Sequence, residues 1–174
     1  MNAAYLLIPF ILIRFVLLNL LSKSGIRRAA HVPQLAGQLE AFAIFMYQIT
    51  NVSILIYMFF LQVNINGGAI FQAGACLYGM GLVLLFLAVV NFATPASSGI
   101  NTNGLYRFSR NPMYVAYFFF FAGCALLTRS HILFILTVVF QATAHVLILA
   151  EERWCIETFG EEYLNYKKQV RRYF

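Results

Sequence analysis

The sequence predicts an all-α integral membrane protein, and three observations carry that prediction. Of its 174 residues, 61% are hydrophobic and only 10% are charged, whereas about a quarter of an average soluble domain is charged. Residues 41–106 contain no Asp, Glu, Lys or Arg. Several apolar runs also reach the length of about 20 residues that a helix needs to cross a bilayer. A water-soluble protein with a single core is therefore excluded.

Three apolar runs are each predicted to form one transmembrane helix. They occupy residues 3–21, 41–63 and 69–91. No basic residue precedes the first run and no clear small-residue cleavage site follows it, so we interpret it as a span and not as a cleaved signal peptide. Small residues in the third run would also permit a helix partner, so an oligomer is possible.

The last apolar run, residues 113–150, is too long for a single crossing. One helix of this length would measure about 57 Å, which is nearly twice the thickness of the hydrocarbon core. We expect a helical hairpin that turns at residues 128–131 and has spans at 112–128 and 131–150. The whole chain is thus predicted to be one membrane domain with five spans, followed by a tail at residues 151–174.

The basic residues orient these spans, because Lys and Arg concentrate in cytoplasmic loops. The net charge is +6, and no Asp is present. With five spans and the N-terminus outside, Arg129 lies outside, Arg14 lies within the first span, and the other basic residues are cytoplasmic. Those are Lys23, Arg27, Arg28, Arg107, Arg110, Arg153, Lys167, Lys168, Arg171 and Arg172. The charge is therefore attributed to contact with membrane lipids, and no nucleic acid partner is expected. Snorkelling to the inner headgroups accounts for Arg14.

Two local patterns predict the start of the fourth span and the structure of the tail. Asn111 precedes Pro112, and Asn is a strong N-cap while Pro is favoured at the first helical position. In the tail, apolar residues recur at alternating steps of four and three, namely Phe159, Tyr163, Tyr166, Val170 and Tyr173. This spacing predicts an amphipathic helix on the cytoplasmic membrane surface.

The predicted topology places a basic loop and an acidic helix end on the same side of the membrane. Arg107 and Arg110 precede the fourth span, and Glu151 and Glu152 follow the fifth. Together with the free N–H groups at a helix start, these charges would bind a small zwitterion. A cytosolic cofactor with an amino acid moiety fits that description. The alternative for the two arginines is contact with lipid headgroups.

Two sequence blocks at these positions match a known pattern. The first runs from Gly104 to Tyr114, and the second comprises Glu151 and Glu152 followed by the stretch from Phe159 to Val170. Taken together, the blocks resemble the isoprenylcysteine carboxyl methyltransferase family, which is related to the phospholipid N-methyltransferases. The resemblance implies methyl transfer from S-adenosylmethionine, held among the last helices and enclosed by the C-terminal segment, to a lipophilic acceptor that arrives from the bilayer.

The resemblance also implies which residues form the site. The cofactor-binding candidates are Gly79, Gly81, Leu105, Tyr106, Arg110, Asn111, Pro112, Tyr114, Glu151 and Glu152. The catalytic candidates are Arg110, Glu152 and His145. His145 lies seven residues before Glu152 and therefore on the same helix face, where it would either orient or deprotonate the acceptor or form a packing hydrogen bond. For the two glycines, close helix packing is the alternative to cofactor contact.

The chemistry is compatible with this set of residues. A sulfonium methyl donor is already activated, so the enzyme has to align donor and nucleophile and exclude water. No metal is needed, and no His or Cys residues occur at ligand spacing. Aromatic faces can hold a sulfonium cation, and the candidates are Tyr106, Tyr114 and Trp154.

The sequence leaves the acceptor and two other classes of function open. Prenylated thiol carboxylates, phospholipid amines and long-chain phenols would all suit an apolar groove between helices. A phospholipid amine N-methyltransferase is one alternative, and a non-catalytic module for assembly or transport is another. A reductase is the third, although 174 residues leave little room for a nicotinamide site.

Overall fold

The structure is a computed structural model that describes residues 1–23, 36–66, 68–94 and 99–173. Arg27 and Arg28, which the orientation argument assigns to the cytoplasmic side, lie outside the described residues. Within the described ranges the regular elements are helices, apart from one isolated bridge between Asn2 and Gln62.

The helices follow the predicted order along the chain. They are α1 (Ala3–Leu21), α2 (Gln38–Met58), α3 (Ala69–Ala93), α4 (Pro112–Thr128), α5 (His131–Phe159) and α6 (Glu161–Gln169). By length and composition α1, α2, α3 and α5 could each cross a membrane, and α4 is a shorter apolar helix. The prediction of an all-helical, multi-pass membrane protein is confirmed at this level, while the count of five spans stays a prediction.

The predicted hairpin between the last two apolar helices is confirmed. Helix α4 ends at Thr128, and Arg129 adopts a left-handed conformation with φ of 51° that reverses the chain. The Ser130 hydroxyl then accepts a hydrogen bond from the Leu133 N–H at 3.1 Å and caps α5, which begins at His131. A short polar turn therefore interrupts the long apolar run where the sequence predicted it.

Helix α4 begins at Pro112 as predicted, but the expected side-chain cap is wrong. Asn111 makes no side-chain hydrogen bond to the helix N-terminus. Its amide Nδ2 instead donates to the Arg172 carbonyl oxygen at 3.3 Å. The side chain is thus recruited by the C-terminal segment, a long-range partner that local spacing does not reveal.

Two helix ends differ from the sequence prediction by five residues or more. Helix α2 stops at Met58 and not at residue 63, because the following residues pair with the N-terminus: the Val63 N–H donates to the Met1 carbonyl at 2.8 Å. Helix α5 continues through Phe159 and not only to residue 150, because the intervening residues contain no helix breaker until Gly160 (φ 55°). The two adjacent glutamates therefore lie within a helix.

The central core is aromatic and joins α1, α4 and α5. Phe10 stacks on Phe120 with ring centroids 4.7 Å apart, and Phe121 meets Phe140 edge to face at 5.7 Å. Large apolar side chains on the outer faces of the long helices remain exposed, for example Phe15, Phe45 and Ile135. An outer surface of this kind suits lipid contact.

Helices α3 and α4 pack so closely that small residues are required between them. A Cβ added at Gly81 would lie 2.7 Å from Phe120 Cα, and one added at Gly123 would lie 2.7 Å from Tyr78 Cα. Gly74 also faces α4, at Leu126 and Leu127. Gly74 and Gly81 of the third helix are therefore used for packing within the chain.

We expect Gly81→Ala to destabilise the protein by about 1–3 kcal/mol, because the new methyl group must push the α4 backbone away. Thermal unfolding in detergent, followed by circular dichroism, measures the change. Gly79→Ala is the matched control on the same helix, since nothing lies within 4 Å of a Cβ built there. Equal melting temperatures for Gly81→Ala and the wild type would contradict the packing argument.

A helix forms in the predicted tail region, at Glu161–Gln169. Its buried residues, Tyr163 and Tyr166, pack with Ile100 and with the end of α5 at Cys155 and Phe159. This helix therefore turns its apolar face toward the protein. Contact with the membrane surface stays a prediction.

Candidate functional site

A cavity of about 500 Å³ lies between the helices and is bordered by residues of α1, α2, α4, α5 and α6. This volume falls within the usual range of small-molecule sites. Six of the candidate site residues line it, namely Tyr106, Arg110, Asn111, Tyr114, Glu151 and Glu152. The folded hairpin thus brings the two sequence blocks to one place, as the topology argument predicted.

The other candidates lie outside the described lining of the cavity. Gly79 and Gly81 are on α3, where Gly81 packs against α4. The backbone N–H of Leu105 donates to Asn91 Oδ1 at 3.0 Å, and Pro112 is buried in the first turn of α4. His145 Nδ1 lies 2.7 Å from the Tyr173 hydroxyl. Any catalytic or cofactor role of these residues remains a prediction.

Arg110 and Glu152, two of the catalytic candidates, are paired with each other. Arg110 Nη2 lies 2.8 Å from Glu152 Oε1, and both side chains are almost fully buried. The other terminal nitrogen of Arg110, Nη1, donates to the carbonyl oxygens of Lys167 at 3.0 Å and Val170 at 2.7 Å. Most donors of this guanidinium are therefore committed within the protein.

The C-terminal segment completes this ionic cluster. Arg172 donates to both carboxylate oxygens of Glu152, through Nε at 3.0 Å and Nη2 at 2.9 Å. The Glu152 carboxylate raises the pKa of the Arg172 guanidinium through these bonds. The Arg110 backbone N–H also donates to the Arg171 carbonyl at 2.9 Å. Together Arg110, Glu152 and Arg172 fasten the tail at the cavity, and we name these three residues the tail clasp.

Glu151 has a different environment from its neighbour. Its Oε1 accepts a hydrogen bond from the Tyr114 hydroxyl at 3.1 Å. In the described part of the chain, no basic side chain forms a salt bridge with this carboxylate within 4.0 Å. Arg14 lines the same cavity and interacts with this carboxylate electrostatically, beyond salt-bridge distance. A cavity carboxylate without a salt-bridge partner can bind a positively charged ligand directly.

Aromatic side chains supply much of the remaining cavity wall. Tyr106, Tyr114 and Trp154, the candidates for holding a sulfonium, all line the cavity. Tyr163 and Tyr166 of α6 cover it, and the Tyr166 hydroxyl donates to the Tyr106 carbonyl at 2.6 Å. Burial raises the pKa of both α6 tyrosines, so they remain neutral hydrogen-bonding groups at physiological pH.

Sequence reasoning missed the contribution of the first two helices. Arg14 lines the cavity and contacts the Tyr117 hydroxyl, and Tyr47 of α2 lies nearby. The snorkelling interpretation of Arg14 is therefore replaced by a position within the site. The signal that pointed to it was the presence of a charged residue inside a predicted span, which by default marks function.

An all-helical apolar fold with a polar and aromatic cavity defines the class as a multi-pass membrane protein with a candidate small-molecule site, and comparison with known proteins shows which family part of the chain resembles. Residues 85–162 match the family described as Phospholipid methyltransferase. The chain is 36% identical over 80 residues to a methanethiol S-methyltransferase of Pseudomonas deceptionensis. The aligned region covers 45% of this chain and 29% of the relative. It is 38% identical over 66 residues to methanethiol S-methyltransferase 1 of Bradyrhizobium diazoefficiens, covering 38% and 22% respectively.

The matches confirm the resemblance to the isoprenylcysteine carboxyl methyltransferase group over the segment that holds Arg110, Glu151 and Glu152. The chain spans less than a third of the length of these two relatives. No solved structure matches the chain.

Proposed function

We propose that this chain transfers a methyl group from S-adenosylmethionine to a lipophilic acceptor that enters the cavity from the bilayer. The observation that carries the proposal is the cavity itself, which is lined largely by the segment matched by the methyltransferase family and combines aromatic walls with the carboxylate of Glu151. When bound, the donor would supply an activated methyl group. The protein's task is then alignment and exclusion of water.

The residues present fit such a donor. S-adenosylmethionine carries an ammonium and a sulfonium, and Glu151 offers them a carboxylate that has no salt-bridge partner within 4.0 Å among the described residues. Tyr106, Tyr114 and Trp154 offer π-faces to the sulfonium. The tail clasp holds the C-terminal segment at the cavity, where it would exclude water during transfer.

The first test is donor binding. We expect saturable binding of S-adenosylmethionine and of its product S-adenosylhomocysteine to the purified protein in detergent, measured by isothermal titration calorimetry. Adenosine and methionine, each added alone, serve as controls, since each contains only one part of S-adenosylmethionine and neither carries the sulfonium. Absence of heat with both intact ligands would contradict the proposal and favour a non-catalytic assembly or transport module.

The acceptor is identified by labelling. Membranes that contain the protein are incubated with donor carrying a tritiated methyl group, and lipids, free thiols and amines are then separated. The curated relatives are named for methanethiol, so a thiol fraction is one expected destination; a prenylated carboxylate or a phospholipid amine are the others. Label in none of these fractions would contradict a lipophilic acceptor.

We also propose that the fold spans the membrane five times, with the N-terminus outside and the C-terminus and cavity opening cytoplasmic. This orientation places the tail clasp beside the compartment that supplies the donor. The proposal is tested by attaching a protease-cleavable tag to the C-terminus and digesting sealed vesicles whose cytoplasmic face is outward. A tag that resists digestion in these vesicles would contradict the orientation.

A further inference from the structure

Resting on the proposed methyl transfer, we infer that Arg14 binds the acceptor, and that the acceptor reacts as an anion, either a thiolate or a carboxylate. Arg14 lies in α1, outside the segment matched by the methyltransferase family. The inference assigns the α1 and α2 side of the cavity to the acceptor.

The backbone at Arg14 is unusual and directs the side chain inward. Residues Leu12–Leu17 form a π-helical segment within α1, with α-helical turns on both sides. Single π-helical turns inside α-helices frequently occur at functional sites. The Arg14 side chain lines the cavity, although Leu12 and Val16 close to it in the chain are exposed.

Arg14 is the cavity cation that remains available for a ligand. The other arginine of the cavity wall, Arg110, is committed to Glu152 and to two tail carbonyls. By contrast, no carboxylate of the described residues lies within 4.0 Å of Arg14. Its guanidinium contacts the Tyr117 hydroxyl and interacts with the Glu151 carboxylate only beyond that distance. A guanidinium inside a span that contacts no carboxylate directly is costly unless an anion joins it.

The position of Arg14 favours the acceptor over the donor carboxylate as that anion. Arg14 lies seven residues before the end of α1 at Leu21, which places it about 10 Å inside the helix end. A lipophilic molecule that enters from the bilayer would reach the cavity at this depth, whereas the donor would enter from the aqueous side. The neighbouring wall residues Phe15, Ile44 and Tyr47 come from the same two helices and offer an apolar surface for the acceptor's tail.

An anionic acceptor also simplifies the chemistry. The nucleophile's lone pair forms the new bond to the methyl carbon, while the bond between that carbon and the sulfonium sulfur breaks and its electron pair returns to sulfur. Because an anionic nucleophile has no proton on the attacking atom, none has to be removed during transfer. A thiol must first lose its proton to water, and the positive charge of Arg14 favours the resulting thiolate, which is the reactive form.

Three probes with the same eight-carbon tail test the inference: octanethiol, octanoate and octylamine. Their affinities are measured by calorimetry on the protein saturated with S-adenosylhomocysteine, and their methylation is followed with the labelled donor. We expect at least one of the two probes that can react as an anion, octanethiol or octanoate, to bind and to be methylated. Octylamine should neither bind nor be methylated. Preference for octylamine, or binding of neither anionic probe by the donor-product complex, would overturn the inference. Failure of the wild type to bind S-adenosylhomocysteine would instead contradict the proposed function.

Arg14→Gln tests the residue itself. We expect the affinity and kcat/KM for the anionic probe to fall by at least about 30-fold, as for loss of one partner from a buried charge pair, while S-adenosylhomocysteine binds within about twofold of wild type. Arg14→Lys should recover much of the lost affinity because it restores the charge. Arg129→Gln, which removes the same charge at the turn between α4 and α5, is the control. The assignment would be overturned if Arg14→Gln bound the anionic probe as tightly as the wild type. It would also be overturned if both Arg14 variants lost affinity for the probe and for S-adenosylhomocysteine to the same extent.

Discussion

Replacing Glu152 with glutamine is expected to reduce methyl transfer by at least about 100-fold, because the substitution breaks a buried ion pair, for which the cost is about 3–5 kcal/mol. Glu152 is only 4% exposed and accepts hydrogen bonds from both Arg110 and Arg172. Without its negative charge, two guanidinium groups would face each other across a neutral amide. The tail would then separate from the cavity and admit water.

The release of the tail gives this prediction a readout independent of activity. Limited proteolysis should cleave the C-terminal segment of Glu152→Gln faster than that of the wild type. Glu161→Gln, at an exposed position in the first turn of α6, is the matched control and should behave as wild type. We expect Arg172→Gln to have a smaller effect than Glu152→Gln, because Arg172 is partly exposed and the Arg110 pair survives. Normal activity and normal proteolysis in Glu152→Gln would contradict the role of the tail clasp.

Replacing Glu151 with glutamine is expected to weaken S-adenosylmethionine binding by at least about tenfold, since a hydrogen bond to a charged group contributes about 1.5–3 kcal/mol. Glu151 lines the cavity and its carboxylate meets only the Tyr114 hydroxyl among the polar contacts described. Glutamine keeps the size of the side chain and can still accept that hydrogen bond, so the change isolates the negative charge.

Calorimetry with S-adenosylmethionine measures the effect of the Glu151 substitution. The control is Glu157→Gln, which removes an exposed carboxylate from the same helix and should leave the affinity unchanged. Tyr114→Phe retains the aromatic face and removes the hydroxyl, so its effect should be smaller than that of Glu151→Gln. An affinity for the donor that does not change in Glu151→Gln would refute the assignment of this carboxylate to the donor.

Local patterns in the sequence were sufficient for the fold class and for several boundaries. The turn at Arg129 and the start of α4 at Pro112 follow from short-range rules on helix ends and span length. The meeting of Arg110 with Glu151 and Glu152 at one cavity could also be predicted, since a hairpin returns the two glutamates to the level of Arg110. These predictions succeeded because each depends on residues that are adjacent in the chain or related by one simple turn.

Partnerships within the site could not be predicted in the same way. Asn111 was expected to cap its own helix, yet its amide contacts Arg172, which lies 61 residues away in the chain. Arg110 and Glu152 were both expected to face a ligand, yet they bind each other and the tail. Hydrogen-bond donors and acceptors have many possible partners in sequence, and only folding selects among them.

The sequence alone determined that this chain is a helical membrane protein with a methyltransferase-like segment, because hydrophobicity, span length and motif spacing are properties of the chain itself. Only the tertiary structure decided which charges remain available in the cavity. Packing of α1 against α4 brings Arg14 to Tyr117, and docking of the tail neutralises Glu152, while Glu151 has no salt-bridge partner within 4.0 Å among the described residues. The charge that a ligand meets depends on these distances, which no linear pattern encodes.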